Sequence, residues 1–153
     1  MKLRVLSVGR DRSGWFEPGV RAYAERIEHH ARLELVELPA ATGSLPPAAA
    51  RRKEGQELLR RAGEDPWLVA LDERGMAVDS PGFARLIGQA REAGRDLTFV
   101  LGGDEGLEPA VRERAWKVLS LSAMTLPHRL ARLVLMEQIY RAFTLLRGEP
   151  YHK

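Results

Sequence analysis

Five short apolar runs, spaced by stretches with helical periodicity, restrict this chain more than anything else in it. Residues 3–9, 33–38, 67–72, 97–101 and 118–122 each read as a strand. Continuous apolarity in the first and fourth fits strands covered on both faces, whereas the alternation in the second leaves one side wetter. Helices are predicted between them. The first runs from Ser13, as its cap, to about His29, with Val20, Tyr23, Ala24 and Ile27 on one face. Others cover 48–62, 80 to about 94, 109–116, and about 128 to Gly148. Residues 39–47, rich in Ala, Gly and Pro, read as a loop, and Glu73-Arg74-Gly75 as a turn leaving the third strand. Strictly alternating elements predict an α/β fold, a mostly parallel sheet flanked by helices, as one domain over 1–153. A ligand then binds beyond the carboxyl ends of the strands, and the loops after Asp72, Leu101 and Ser122 are the candidates.

Composition narrows the partners. With no cysteine, disulfides, thiolate chemistry and cysteine-ligated zinc drop out. No metal-ligand set is visible: His29 and His30 are adjacent, so on a helix they diverge by about 100°. The most apolar stretch, 130–146, contains Arg132, Glu137, Gln138 and Arg141, which excludes a membrane span. Met1-Lys2-Leu3-Arg4 enters a strand without a signal-like core, so a cytoplasmic location is expected. Twenty of the 24 basic residues are arginine, at a net charge of +3. Guanidinium forks suit phosphate, but an arginine preference arises equally from genome composition or thermal adaptation.

The last helix carries two apolar stripes, Leu133-Met136-Tyr140-Phe143 and Leu135-Ile139-Ala142-Leu146. Either it is buried centrally in its own chain, or one stripe is left for a partner, most economically a second copy; the dimer is the favoured expectation.

Three segments carry possible chemistry. Gly102-Gly103-Asp104-Glu105-Gly106, directly after a strand, lets backbone approach a ligand. Its spacing is neither the dinucleotide nor the P-loop pattern, and its two acids suit a neutral or cationic ligand. A plain strand-to-helix turn is the competing reading. Ser120 to His128 supplies small and apolar side chains with free backbone polar groups, fit to hold an aromatic base and a thioether-like chain, or simply a connection. The ending Tyr151-His152-Lys153 brings together groups that stack, relay protons and neutralise phosphate, or else only a solubilising end.

Together these segments resemble one family. Lys2 to Gly9, Leu71-Asp72-Glu73-Arg74-Gly75, Gly102 to Leu107, Leu119 to His128, Glu137-Gln138-Ile139-Tyr140-Arg141-Ala142 and Pro150-Tyr151-His152-Lys153 are similar, in order and over the whole chain, to the ribosomal RNA large subunit methyltransferase H family of the SPOUT class. That resemblance implies a SPOUT-type α/β knot with a C-terminal trefoil, and a homodimer. It implies S-adenosyl-L-methionine as donor and N3 of a pseudouridine in 23S rRNA, within the assembled ribosome, as acceptor. Carried over, Leu71, Gly103, Ser122, Ala123, Met124, Thr125, Leu126 and Pro127 would hold the cofactor. Tyr151, His152 and Lys153 would serve the partner chain's site.

Methyl transfer from a sulfonium asks mainly for alignment and exclusion of water, plus removal of the imide proton. His152 is the first candidate for that proton and His128 the second, with Tyr151 beside them as a catalytic candidate. Arg132, Arg141 and Lys153 can instead favour the imide anion and hold RNA. Two rivals stand beside this reading: a nucleotide-handling α/β enzyme of another reaction type, and a non-catalytic ribosome- or RNA-binding module.

Overall fold

The computed structural model describes residues 1–41, 43–64 and 67–151. Its elements run β1 (Lys2–Val8), α1 (Glu17–Glu28), β2 (Arg32–Leu38), α2 (Pro47–Ala62), β3 (Trp67–Ala77), α3 (Ser80–Glu92), β4 (Leu97–Leu101), α4 (Pro109–Arg114), β5 (Lys117–Ser120) and α5 (His128–Arg147). The five strands form one sheet in the order β2-β1-β4-β3-β5, and every pairing is parallel. Among the described residues no helix is long and apolar enough to cross a membrane.

Period-two alternation sends each inner strand's side chains to two cores. Leu3 and Val5, Val69 and Leu71, and Leu97, Phe99 and Leu101 pack with α1, α3 and α5. Leu6, Val8, Leu68, Ala70 and Val100 pack on the other face with Leu58 of α2 and Val111 of α4. Both faces are covered, so the inner strands are mostly apolar, with Ser7 and Thr98 buried among them. β2 is an edge strand, and most of its side chains are only half-buried.

Several expectations need correction. Ser13 does not cap α1, which starts at Glu17. The Asp11 carboxylate takes that role from upstream, accepting the Phe16 and Glu17 N–H groups at 2.7 and 3.1 Å. β3 does not end at Asp72. Leu71 and Met76 both face Leu119, so 72–75 bulges out of a strand that resumes to Ala77. Gly75 lies so close on the Leu119 backbone that an added Cβ would come within 2.5 Å of it.

Most of the two α5 stripes packs inside the chain. Leu133 reaches Gly19 of α1, Phe143 stacks on His30 at 5.3 Å, and Leu146 contacts Gly88 of α3. Leu135, Met136, Ile139, Ala142 and Phe143 are all fully buried. The helix packs centrally in its own chain, while Leu133 and Tyr140 stay half-buried and Leu146 exposed.

Candidate functional site: a cleft at the carboxyl ends of β3, β4 and β5

Three connections converge where these strands end: the β3 bulge, the glycine loop after β4, and the link from β5 to α5. They enclose a cleft of about 630 Å³ lined by Leu71 to Arg74, Leu101 to Leu107, Ser120 to Ser122 and Met124 to Arg129. That size suits a small-molecule cofactor.

The glycine loop is a compact hook. Gly106 N–H donates to the Gly103 carbonyl at 3.0 Å, and Gly106 is left-handed, at φ +77°. A Cβ on Gly102 would lie 2.5 Å from the Gly106 carbonyl oxygen, and one on Gly103 would lie 3.0 Å from Val8 Cγ1. Side chains are thus excluded at both glycines, and backbone forms this part of the wall.

Opposite, Ser120 Oγ donates to the Ser122 carbonyl at 2.8 Å, and Ser122 Oγ accepts the Met124 N–H at 3.0 Å. Thr125 Oγ1 donates to Glu73 Oε2 at 3.0 Å, tying this loop to the β3 bulge. Asp72 is held by Arg112 at 3.3 Å, and Arg112 also donates to the Leu107 carbonyl at 2.8 Å. Arg51 Nε pairs with Glu108 at 3.2 Å. Sequence reasoning missed these ion pairs as wall supports. Their partners are 40 and 57 residues apart, with no local pattern to reveal them.

Of the expected cofactor residues, Leu71, Gly103, Ser122, Met124, Thr125, Leu126 and Pro127 line the one cleft. Ala123 is exposed on the same loop. His128 also faces the cleft, but its ring is committed elsewhere. Nδ1 lies 3.0 Å from Asp104 Oδ1, and Nε2 is buried without a partner, 3.1 Å from where a Cβ on Gly9 would stand. Burial pushes its pKa down, although the Asp104 and Glu54 carboxylates oppose this. His128 therefore pins the start of α5 to the glycine loop while its ring lines the cleft.

The remaining candidates lie elsewhere. Arg132, 7% exposed, pairs with Glu37 at 2.6 Å and Glu17 at 3.2 Å, so it holds α5 against β2 and α1. Arg141 is bound to Glu137 at 2.6 Å and lies 4.9 Å over the Tyr151 ring. Tyr151 packs edge-on against Tyr140 at 4.8 Å, and its hydroxyl donates to Glu137 at 3.1 Å. Burial, with Tyr23 and Glu137 adding to it, pushes the Tyr151 phenol well above its ordinary pKa. His152 and Lys153 lie outside the described residues.

The comparisons with known proteins agree with this layout. Residues 1–152 match the family model described as "Predicted SPOUT methyltransferase". The chain is 51% identical, over the full length of both, to the ribosomal RNA large subunit methyltransferase H of Anaeromyxobacter sp. (strain Fw109-5). It is 46% identical to that of Trichlorobacter lovleyi over 99% of each chain. In fold it is similar to a probable methylase family protein from Haemophilus influenzae, with a TM-score of 0.61 at 16% identity, over 99% of this chain and 70% of that one. It is likewise similar to a probable methyltransferase from Bordetella pertussis, at 0.57 and 13%, over 92% and 95%. Sequence, strand order and glycine-walled cleft converge: the chain belongs to the SPOUT methyltransferases, in the ribosomal RNA large subunit methyltransferase H family.

Proposed function

We propose that this protein methylates large-subunit ribosomal RNA with S-adenosyl-L-methionine, and that its target is N3 of a pseudouridine, position 1915 of 23S rRNA, in the assembled ribosome. It works as a cytoplasmic homodimer of single-domain chains spanning 1–153. Family membership implies that the segment after β5 is threaded as a knot. The observation that carries the reading is the backbone-walled cleft, in a chain half identical to relatives named as ribosomal RNA large subunit methyltransferases.

The residues fit the donor. Gly102 and Gly103 let the loop backbone pack tightly on Gly106 and Val8 and so form the cleft wall. Leu71 and Leu126 give apolar walls for an adenine ring. Backbone groups of residues 122–127 other than the Ser122 and Pro127 carbonyls and the Met124 N–H, those of Ala123 included, serve its hydrogen-bonding edge. Glu73, Asp104 and Glu105 put carboxylates at the rim, where they favour a cationic ligand. Bound there, the donor supplies an electrophilic methyl group on a sulfonium. The chain's own part is to align that group, exclude water and let the imide proton leave.

For the proton we assign His152 as acceptor, with Tyr151 orienting the base and Lys153 and Arg141 favouring its anion. The position of Tyr151 supports the dimer. Tyr151 contacts Glu137 and Tyr140, nine and twelve residues along α5 from His128. At about 1.5 Å rise per residue, those contacts lie roughly 13–18 Å from the cleft mouth. A tail placed there serves a partner's cleft rather than its own.

Calorimetry with S-adenosyl-L-methionine tests the donor site: one saturable site per chain is expected, and Gly103→Trp abolishes it. A wild-type protein that binds no donor, but binds a dinucleotide or RNA alone, would overturn the reading. For the shared site, a tail lacking residues 151–153 and Gly103→Trp should each be inactive alone. Mixed, they should regain activity in heterodimers. Mass mapping of 23S rRNA from a strain lacking the protein should show one missing methyl group.

A further inference from the structure

The most exposed large apolar side chain stands outside the cleft. Trp15 is 82% exposed, in the connection from β1 to α1 that reaches the cleft rim through Arg129. That arginine lines the cleft, and its Nε donates to the Arg10 carbonyl at 2.7 Å. An indole without burial gives up the stabilisation that normally keeps tryptophan inside a fold.

The loop that presents it is held firmly. The Asp11 carboxylate accepts the Ser13 N–H and hydroxyl as well as the Phe16 and Glu17 N–H groups. Ser13 Oγ in turn accepts the Trp15 N–H at 3.2 Å. Gly14 takes the left-handed turn, at φ +71°, just before the tryptophan. Asp11, the loop's acid, is thus engaged by four donors. Among the described residues the Arg10 and Arg12 side chains make no ion pair or hydrogen bond and are exposed. The nearby carboxylates of Glu17 and Asp104 face Arg132 and His128. An ordered aromatic platform flanked by unpaired guanidinium groups matches the chemistry of an unpaired nucleotide, with a π-face to stack and phosphates to neutralise.

We propose that this loop is an RNA-docking element: Trp15 stacks on an unpaired base of the ribosomal RNA while Arg10 and Arg12 hold its adjoining phosphates. The loop is already ordered, so little freedom is lost on binding. The inference rests on the RNA methyltransferase reading above and names the contact that guides the substrate to the cleft.

Steady-state methyl transfer to ribosomes lacking the modification provides the test, with Trp15→Leu, Trp15→Tyr and the double variant Arg10→Ala/Arg12→Ala. Trp15→Leu should raise KM for ribosomes about tenfold and leave kcat and the calorimetric affinity for S-adenosyl-L-methionine unchanged. Trp15→Tyr, which keeps a stacking face, should stay near wild type. The double variant should flatten the dependence of log KM on log salt by about 1.5, as two lost phosphate contacts require. Unchanged KM in both Trp15→Leu and the double variant overturns the proposal. So does a Trp15→Leu protein that falls apart into monomers, because the indole then belongs to an interface between copies. A wild-type protein that transfers no methyl group to ribosomes instead fails the underlying function, which separates the two results.

Discussion

The two ends of α5 do opposite work. At its start, Pro127 and His128 sit in the cleft wall, and His128 is locked between Asp104 and Gly9. At its far end an aromatic and ionic cluster of Tyr140, Tyr151, Arg141 and Glu137 gathers the end of the chain. The first region is enclosed by three loops and built largely from backbone. The second is half-buried and built from side chains. On the proposed reading, one chain finishes a donor pocket by itself but carries its acceptor chemistry farther along the helix. Binding of the donor and transfer of its methyl group should therefore fail separately when each end is damaged.

Glu137 gives the largest separation. Its Oε1 accepts from Arg141 Nε at 2.9 Å and from the Tyr151 hydroxyl, while Oε2 accepts from Gln138 at 2.6 Å. Glu137→Ala should release the tail and lower methyl transfer about a hundredfold, the usual result of misplacing a reacting group by an ångström. Calorimetric affinity for the donor should not change. If donor binding falls in proportion, the two ends are one coupled unit and the comparison collapses.

How much of this was legible beforehand follows from the same contrast. The strands were visible because burial on both faces writes itself as apolar runs, and the loops after Asp72, Leu101 and Ser122 did converge as a parallel sheet requires. Gly103 and the run from Ser122 to Pro127 stood out because small residues directly after a strand are chemically unusual. The tail's location was hidden: Tyr151 pairs with Glu137 through tertiary packing, and nothing in a three-residue ending states which surface it meets. The packing of α5 was hidden for a related reason. Two apolar stripes look like one too many until α1 and α3 are seen flanking the helix on the same face of the sheet. The β3 bulge escaped because 72–75 is polar and reads as an exit from the strand, whereas β5 takes the chain back at Met76. Ser13 was chosen as cap on residue type, although Asp11, two residues earlier, has the geometry.

Arg132 sharpens the comparison from the stability side. It lies one turn beyond His128, buried between Glu17 and Glu37, and ties the cleft end of α5 to α1 and β2. Arg132→Met keeps much of the packing but strands two carboxylates, at a cost of about 3 kcal/mol. For a chain of this size that corresponds to a fall of roughly 9 °C in Tm. Restoring charge balance with Glu37→Gln in the same chain should recover part of the loss. If Arg132→Met melts like the wild type, the ion-pair cluster does not hold this end of α5.

The smallest effect concerns pH and separates the ends once more. Burial lowers the folded-state pKa of His128 below the ordinary histidine value of about 6.5. A histidine that is harder to protonate folded than unfolded contributes fully above about 6.5, and its contribution is lost as pH falls from there through the folded value. Stability measured by urea titration should thus decline on acidification below about 6.5. His30, beneath Phe143 at the opposite end of α5, is shifted the same way by burial and adds a second, weaker decline. In His128→Asn the decline should shrink, and donor affinity should lose its acid dependence in the same interval, because the ring that pins Asp104 no longer titrates. In His30→Asn the stability curve should flatten slightly while the pH dependence of donor affinity stays as in the wild type. An acid dependence of donor affinity that follows His30 instead would mean that protonation is felt along the whole helix, and the two ends would not be independent.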